Sequence, residues 1–440
     1  MIPFPSAMTE VDVVASETDM QTDLRALLHA VEAVSPGEAV EVLAETLAEM
    51  VGAEDVSFLI ADFSGDALIR FVSASAGLPS GDGVEGGELL ISVPLAGSPY
   101  EQAVRAQRVV VEQRAGSVRL YAPVTDRGDA LGVLELALPS PPDDDIVAFV
   151  ASAAHALAYV IIANRRHTDL FERGQRNVPF SLAAEIQRRL LPAAFTCETA
   201  EFTVAGWLEP ASAVGGDTFD YSVETDLLHL SISDAMGHSV ESAQLATLAV
   251  GSLRNSRRSR ASVVDQALAA NSAICAYGTD EEFVSALLLR VDLTTGAVAA
   301  VNAGHPTPHL VRDGVVTEIR FTPDLPFGML ADGAYHEQKL ALRPGDRLVL
   351  LTDGILERNA TGLDVAIALS QMAALHPREV VHTLAREVLS ATAGELQDDA
   401  TVLCVDWYGP QAGSGDRIAT AGASQGRASG RRRRETPHRR

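Results

Sequence analysis

Four short apolar runs in the second half of this 440-residue chain each carry aspartate at one end, and no other feature restricts the fold so tightly. They lie in VGGDTFDY, LHLSISDAMGHS, LVLLTDGILE and LQDDATVLCVDW, between residues 214 and 407. Asp217 opens the first run, Asp234 and Asp353 close the second and third, and Asp398 and Asp399 precede the fourth. Runs of this length, bounded by glycine and small residues, read as β-strands. Taken singly, each motif is an ordinary turn or helix cap. Strands whose ends converge, however, gather such carboxylates into one cleft.

Ionised carboxylates crowded within a few ångströms repel, so either their pKa values rise or a cation neutralises them. Hard divalent cations such as magnesium and manganese take oxygen ligands. Two of them can activate a water for in-line attack on phosphorus. Other phosphate chemistry is disfavoured, because the single lysine, Lys339, follows Gln338 rather than glycine. A P-loop needs lysine directly after its glycines, and a protein kinase needs one on an early strand. Cys197, Cys275 and Cys404 are far apart and form no CxxC, so neither a disulfide framework nor a zinc site is indicated, and a reducing cytoplasm fits.

Net charge is -25. The last thirty residues hold eight arginines against Asp416 and Glu435, a local +6 that leaves the other 410 residues at -31. Nucleic acid is therefore not expected as a partner of the folded body. The acidic excess fits either a solvated surface or a carboxylate-rich cation site. Residues 409–440 read as a disordered tail, either a solvated appendage or a contact for an anionic surface. No apolar stretch of about 18 uninterrupted residues and no basic, apolar leader is evident, so neither a membrane anchor nor export is expected.

The length suggests two domains. After residues 1–20, apolar spacing predicts two amphipathic helices from Asp23 to about Met50, broken at Ser35-Pro36-Gly37. Strands are expected at 56–63, 67–75, 118–124 and 130–138, the last two joined by TDRGD, and a long helix from Ile146 past Asn164. This order over residues 21–165 resembles the GAF family of small sensory domains, with no cysteine placed to attach a bilin. The resemblance leaves room for a ligand pocket or for a structural, dimerising role. Within the long helix, Ile146, Val150, Ala153, Leu157, Val160 and Asn164 follow heptad spacing, either a parallel dimer seam or a face packed on its own domain. Across a linker at 166–182, Pro179 breaks the pattern and Ser181 caps a new helix that Pro192 ends.

From residue 183 to 408, AAEIQRRLLP, VGGDTFDY, SDAMGHS, VNAGHPTPHL, PFGML, LLTDGILE and DDATVLCV closely resemble, in order and spacing, the SpoIIE and RsbU branch of the metal-dependent, protein phosphatase 2C-like family. The resemblance implies an α+β chain: a GAF-like α/β domain followed by an αββα sandwich with two Mn2+ or Mg2+ ions at one end. By the family pattern Asp234 bridges both metals, Asp217 and the Ala235 carbonyl serve one, and Asp353 with Asp398 or Asp399 serves the other. A water activated by the metals would attack phosphoserine or phosphothreonine without a protein nucleophile. His238 and His305 are candidates to donate a proton or position substrate, His305 alternatively as a turn residue. Ser239 stands where the family often has glycine, which bears on backbone approach to substrate there. The implied substrate is a phosphorylated, STAS-type anti-sigma-factor antagonist. A catalytically silent docking module is the alternative, although none of the four metal-binding aspartates is missing.

Overall fold

A computed structural model describes residues 22–72, 89–114, 116–176, 180–211, 215–237, 240–277, 282–356, 364–392, 396 and 398–410. The expectations for His238, Ser239, the first twenty residues and the arginine-rich tail from 411 on lie outside the described residues.

Helices α1 (22–32) and α2 (Ala39–Val51) flank the Ser-Pro-Gly break, and Gly52 caps α2 in the left-handed conformation. Strands β1 (Asp55–Ala61), β2 (Ala67–Val72), β3 (Leu89–Pro94), β4 (Val110–Arg114), β5 (Ser117–Asp126) and β6 (Asp129–Leu138) form one antiparallel sheet ordered β3-β2-β1-β6-β5-β4. Helix α3 (Pro99–Ala106) is capped by Ser98, whose hydroxyl accepts from the Glu101 amide. Helix α4 (Asp144–Asn164), capped by Asp143, packs with α1 and α2 on one face of this sheet.

Val150, Ala153, Leu157 and Val160 of α4 are buried in the domain's own core, the second of the two alternatives for its heptad spacing. The helix ends at Asn164 rather than running on. By length and composition alone it is apolar enough to cross a membrane, with only Ser152 and His155 interrupting it. Half of it is buried in the fold, as befits a core helix.

Beyond α5 (Leu170–Gly174) and α6 (Leu182–Leu190) the chain builds two further antiparallel sheets. One, ordered β15-β12-β11-β10-β9, comprises β9 (Thr218–Val223), β10 (Leu227–Ala235), β11 (Val284–Asp292), β12 (Ala297–Ala303) and β15 (Gln338–Ala341). The other, ordered β14-β13-β16-β17-β8-β7, comprises β7 (Thr196–Glu198), β8 (Phe202–Glu209), β13 (His309–Arg312), β14 (Val315–Glu318), β16 (Arg347–Leu351) and β17 (Ala400–Trp407). Phe202, Phe219, Leu230, Leu350 and Trp407 fill the space between them. Helices α7 (Val240–Arg258) and α8 (Val263–Tyr277) cover the first sheet. Helices α10 (Val365–Gln371) and α11 (Pro377–Ala391) cover the second, giving four layers, αββα. The fold class is α+β.

The β5–β6 hairpin joins the two halves. Its two-residue turn places Arg127 and Gly128 at φ 46° and 82°, the left-handed pair that a tight primed hairpin turn demands. The turn presents the Arg127 carbonyl to the Glu198 amide at 2.9 Å and the Gly128 carbonyl to the Arg378 guanidinium. Next to it, the Asp129 carboxylate accepts from the Phe195 and Thr196 amides at 3.0 and 3.1 Å. Burial pushes the Asp129 pKa up to about 6, against the pull of those two amides. A carboxyl raised in the folded state stabilises below its unfolded pKa and loses that contribution as pH rises through 6. Asp129→Asn keeps an acceptor for both amides without the charge. Relative to wild type, it should therefore gain about 1–3 kcal/mol between pH 4 and pH 7. Urea unfolding at several pH values measures this, and a wild-type-to-variant difference independent of pH would contradict it.

Candidate metal centre

Antiparallel pairing decides where the aspartates lie. Asp217 immediately precedes β9 and Asp234 is the penultimate residue of β10, with Thr218 opposite Ser233 in the ladder. On the facing sheet, Leu351 pairs with Val402, so Asp353, after β16, and Asp398–Asp399, before β17, reach the same end. Sequence positions up to 182 apart thus converge at one rim of the sandwich.

Glycine makes the approach possible. A Cβ at Gly216 would lie 2.3 Å from the Ala235 carbonyl oxygen, and one at Gly215 would lie 2.8 Å from the Asp399 carboxyl carbon. A Cβ at Gly354 would come to 2.0 Å from the Asp399 carbonyl oxygen. The GGD and TDG motifs are close contacts between backbones rather than merely turns.

Hydroxyls and an amide hold the inner carboxylates. Thr352 and Thr401 each donate to Asp217 Oδ2 at 2.7 Å, and the Thr401 amide donates to the Thr352 hydroxyl at 3.0 Å. Gln187, on α6, donates to the Asp217 carbonyl at 2.9 Å and to Asp399 Oδ2 at 2.5 Å. The other Asp399 oxygen accepts from the Ala211 amide at 2.9 Å, and Asp399 is 0% exposed. Asp398 is half-buried and its carboxylate accepts from the Asp399 amide. The two neighbours therefore differ: Asp399 is fully buried and committed to internal hydrogen bonds, whereas Asp398 is half-buried, and both raise the pKa of Asp234.

The electrostatics agree with the geometry. Burial, together with Asp234 and Asp399, lifts Asp217 well above the usual carboxylate range. Burial and then Asp353, Asp398 and Asp399 push Asp234 up to about 7. Mutual repulsion of this kind is what a divalent cation relieves. Among the described residues no three of these groups stand as a finished ligand cluster, because Asp217 and Asp399 are turned into the hydrogen bonds above. All the donors are oxygen, the set that suits Mn2+ or Mg2+ rather than a thiophilic metal.

His305 lies elsewhere in role. It is 4% exposed, its Nδ1 is 2.9 Å from the Ser285 hydroxyl, and Asn302 bonds its amide and its carbonyl. Burial pushes its pKa down to about 3, so the ring is neutral at physiological pH. The NAGHP segment is a turn, with Gly304 at φ 71° against Pro326.

Sequence reasoning gave no role to Gln187, Thr352 or Thr401. Each sat inside a singled-out motif (EIQRRL, LLTDG and DDATV), and a polar side chain in an otherwise apolar run was the available signal.

The αββα sandwich thus brings aspartates from both sheets to one rim. Residues 224–408 match the family model described as Stage II sporulation protein E (SpoIIE). Among curated proteins, the phosphoserine phosphatase RsbP of Bacillus subtilis is 24% identical over 236 residues, 51% of this chain and 57% of that protein. Stage II sporulation protein E of the same organism is 24% identical over 139 residues, 31% of this chain and 17% of that protein. The chain thus spans little more than half the length of the first of these relatives and less of the second. Among solved structures, the RsbU and RsbW domains of a Mycobacterium tuberculosis protein align at 24% identity with a TM-score of 0.44, covering 53% of this chain and 65% of that one.

Proposed function

We propose that the chain is a metal-dependent protein serine/threonine phosphatase. The observation that carries this reading is the convergence of Asp217, Asp234, Asp353 and Asp398 at one rim of the sandwich, with the Ala235 carbonyl beside Gly216. In this reading Asp217, Asp234, Asp353, Asp398 and the Ala235 carbonyl hold two Mn2+ or Mg2+ ions, and Asp399 positions the loop that carries Asp398. When bound, the pair of cations supplies an activated water and neutralises phosphoryl charge. The protein's own residues orient the site: Thr352 and Thr401 fix the Asp217 carboxylate across the two sheets, and Gln187 ties α6 to both sides of the rim.

The reading extends to a phosphorylated, STAS-type anti-sigma-factor antagonist as substrate, in line with the company of RsbP among the relatives. Residues 21–165 act as a GAF-like sensory domain that regulates residues 183–408, supported by the hairpin contact between the halves. The test is phosphate release from a phosphoserine-bearing antagonist protein by the full chain with manganese. Release that a chelator abolishes is the expected result. No release from any phosphoserine or phosphothreonine protein tried, by the full chain or by residues 175–408, would reject the reading.

A further inference from the structure

Between the two halves lies a cavity of about 200 Å³ that the metal centre does not use. Its apolar wall comes from both sides: Leu68 and Leu131 from the first sheet, Phe195 and Trp207 from the second half. Five arginines line it, Arg105, Arg165, Arg188, Arg378 and Arg386, together with the carboxylates of Asp62, Glu101, Asp129 and Glu379, and two of the arginines are deeply buried. Arg378, on α11, is only 8% exposed; one of its terminal nitrogens donates to the Gly128 carbonyl and the other, Nη2, is buried without a hydrogen-bond partner. Arg188, on α6, is stacked over the Phe63 and Phe195 rings at 4.1 and 4.6 Å. Neither has a carboxylate within ion-pair distance among the described residues; Asp129, which also lines the cavity, is engaged by the Phe195 and Thr196 amides.

A buried guanidinium nitrogen left without a partner is costly, and in folded proteins such groups are nearly always satisfied. Burial holds the Arg188 and Arg378 pKa values below the usual arginine range, Arg188 at about 10, against the partial pull of Asp129 and other nearby carboxylates. A cavity of roughly 150 Å³ accommodates benzene, so this one has room for a single-ring molecule bearing one small charged group.

We propose that this cavity binds a small carboxylate with an apolar ring, its anion on the Arg378 and Arg188 guanidiniums and its ring against Leu68, Leu131 and Trp207. A flat anion suits the guanidinium fork, which bonds carboxylates in two parallel contacts. Such a ligand touches both halves at once and so favours their docked arrangement. It also bears on α6, where Arg188 follows Gln187, the residue that bonds the Asp217 carbonyl and the Asp399 carboxylate. Occupancy would in this way reach the carboxylate rim without entering it. The binding claim stands apart from the phosphatase reading, because it is read without catalysis.

The experiment is a calorimetric titration of the full chain with benzoate, with neutral benzamide and inorganic phosphate as comparisons. Saturable benzoate binding is expected, with benzamide and phosphate each at least about tenfold weaker, since a charge-assisted hydrogen bond is worth about 1.5–3 kcal/mol. Arg378→Gln keeps a donor for the Gly128 carbonyl and should weaken benzoate binding at least about tenfold on the same ground. Thr383→Phe leaves both arginines in place and fills the cavity from α11, and it should abolish binding. Absence of benzoate binding by wild type, equal binding of benzamide, or unchanged binding in the Thr383→Phe chain would each overturn the proposal.

Discussion

On the proposed two-metal reading, Asp234→Asn is expected to lower manganese-dependent phosphate release on the order of a thousandfold, because removing a carboxylate that would hold the cations takes several kcal/mol of charge stabilisation from the reaction. The same substitution should make the metal-free protein more stable, not less. Burial and the carboxylates of Asp353, Asp398 and Asp399 push the Asp234 pKa up to about 7, so at pH 8 the folded state holds an ionised group in an unfavourable place. A group raised in this direction stabilises below its unfolded pKa, near 4, and loses that contribution as pH rises through 7. Asparagine is isosteric and uncharged, and the variant should gain about 1–3 kcal/mol over wild type at pH 8 without metal. Urea unfolding in a chelator, paired with the phosphate assay, reads both effects. Lower stability with lost activity would indicate a plain structural role for Asp234. Opposite signs indicate a site in which function is bought at the expense of stability.

Gly354→Ala should be nearly as damaging by a different route. Its Cβ would lie 2.0 Å from the Asp399 carbonyl oxygen, and the obstacle is backbone, which cannot rotate away as a side chain can. Either α9 (Asp353–Leu356), which carries Asp353, or the Asp398–Asp399 segment just before β17 must shift. Displacement of about 1 Å at a reacting centre costs about a hundredfold in rate. Overpacking of this kind costs about 1–3 kcal/mol in stability, occasionally more. Gly251→Ala is the matched control, since a Cβ there on α7 meets nothing within 4 Å. It should leave activity unchanged and stabilise the helix by about 0.5–1 kcal/mol. Similar losses in both variants would show that glycine replacement itself, rather than the contact with Asp399, is responsible.

The strands carrying Asp217, Asp234, Asp353 and Asp398 were legible because each is a short apolar run broken by glycine, a local signal. The strands expected at 118–124 and 130–138 occur as β5 and β6, extended at the turn by two residues and by one because the tight Arg127-Gly128 turn lets pairing continue to Asp126 and Asp129. Strands β3 and β4 were not expected. β4 (VVEQR) is largely exposed and polar, so little periodic burial marks it. The heptad spacing in α4 was real but ambiguous: the same three- and four-residue intervals serve a partner helix or the chain's own sheet, and here Val150 and Leu157 are buried against the latter.

What could not be read from the sequence depends on contacts between distant residues. Asp398 and Asp399 are adjacent and chemically identical. The Ala211 amide and Gln187, the latter 212 residues away in sequence, help commit Asp399 to the interior. The hydroxyls of Thr352 and Thr401 reach Asp217 from 135 and 184 residues away, and threonine in a strand carries no mark of such a partner. The cavity between the halves is invisible for the same reason, since its walls come from stretches of chain as far apart as Ala61 and Arg386.

The most direct test of the carboxylate rim as a two-metal centre is a calorimetric titration of manganese into the full chain and into the Asp234→Asn variant. The geometry predicts uptake of about two manganese ions by wild type and loss of at least one of them in the variant. No manganese uptake by wild type, or the same uptake by both chains, would contradict it.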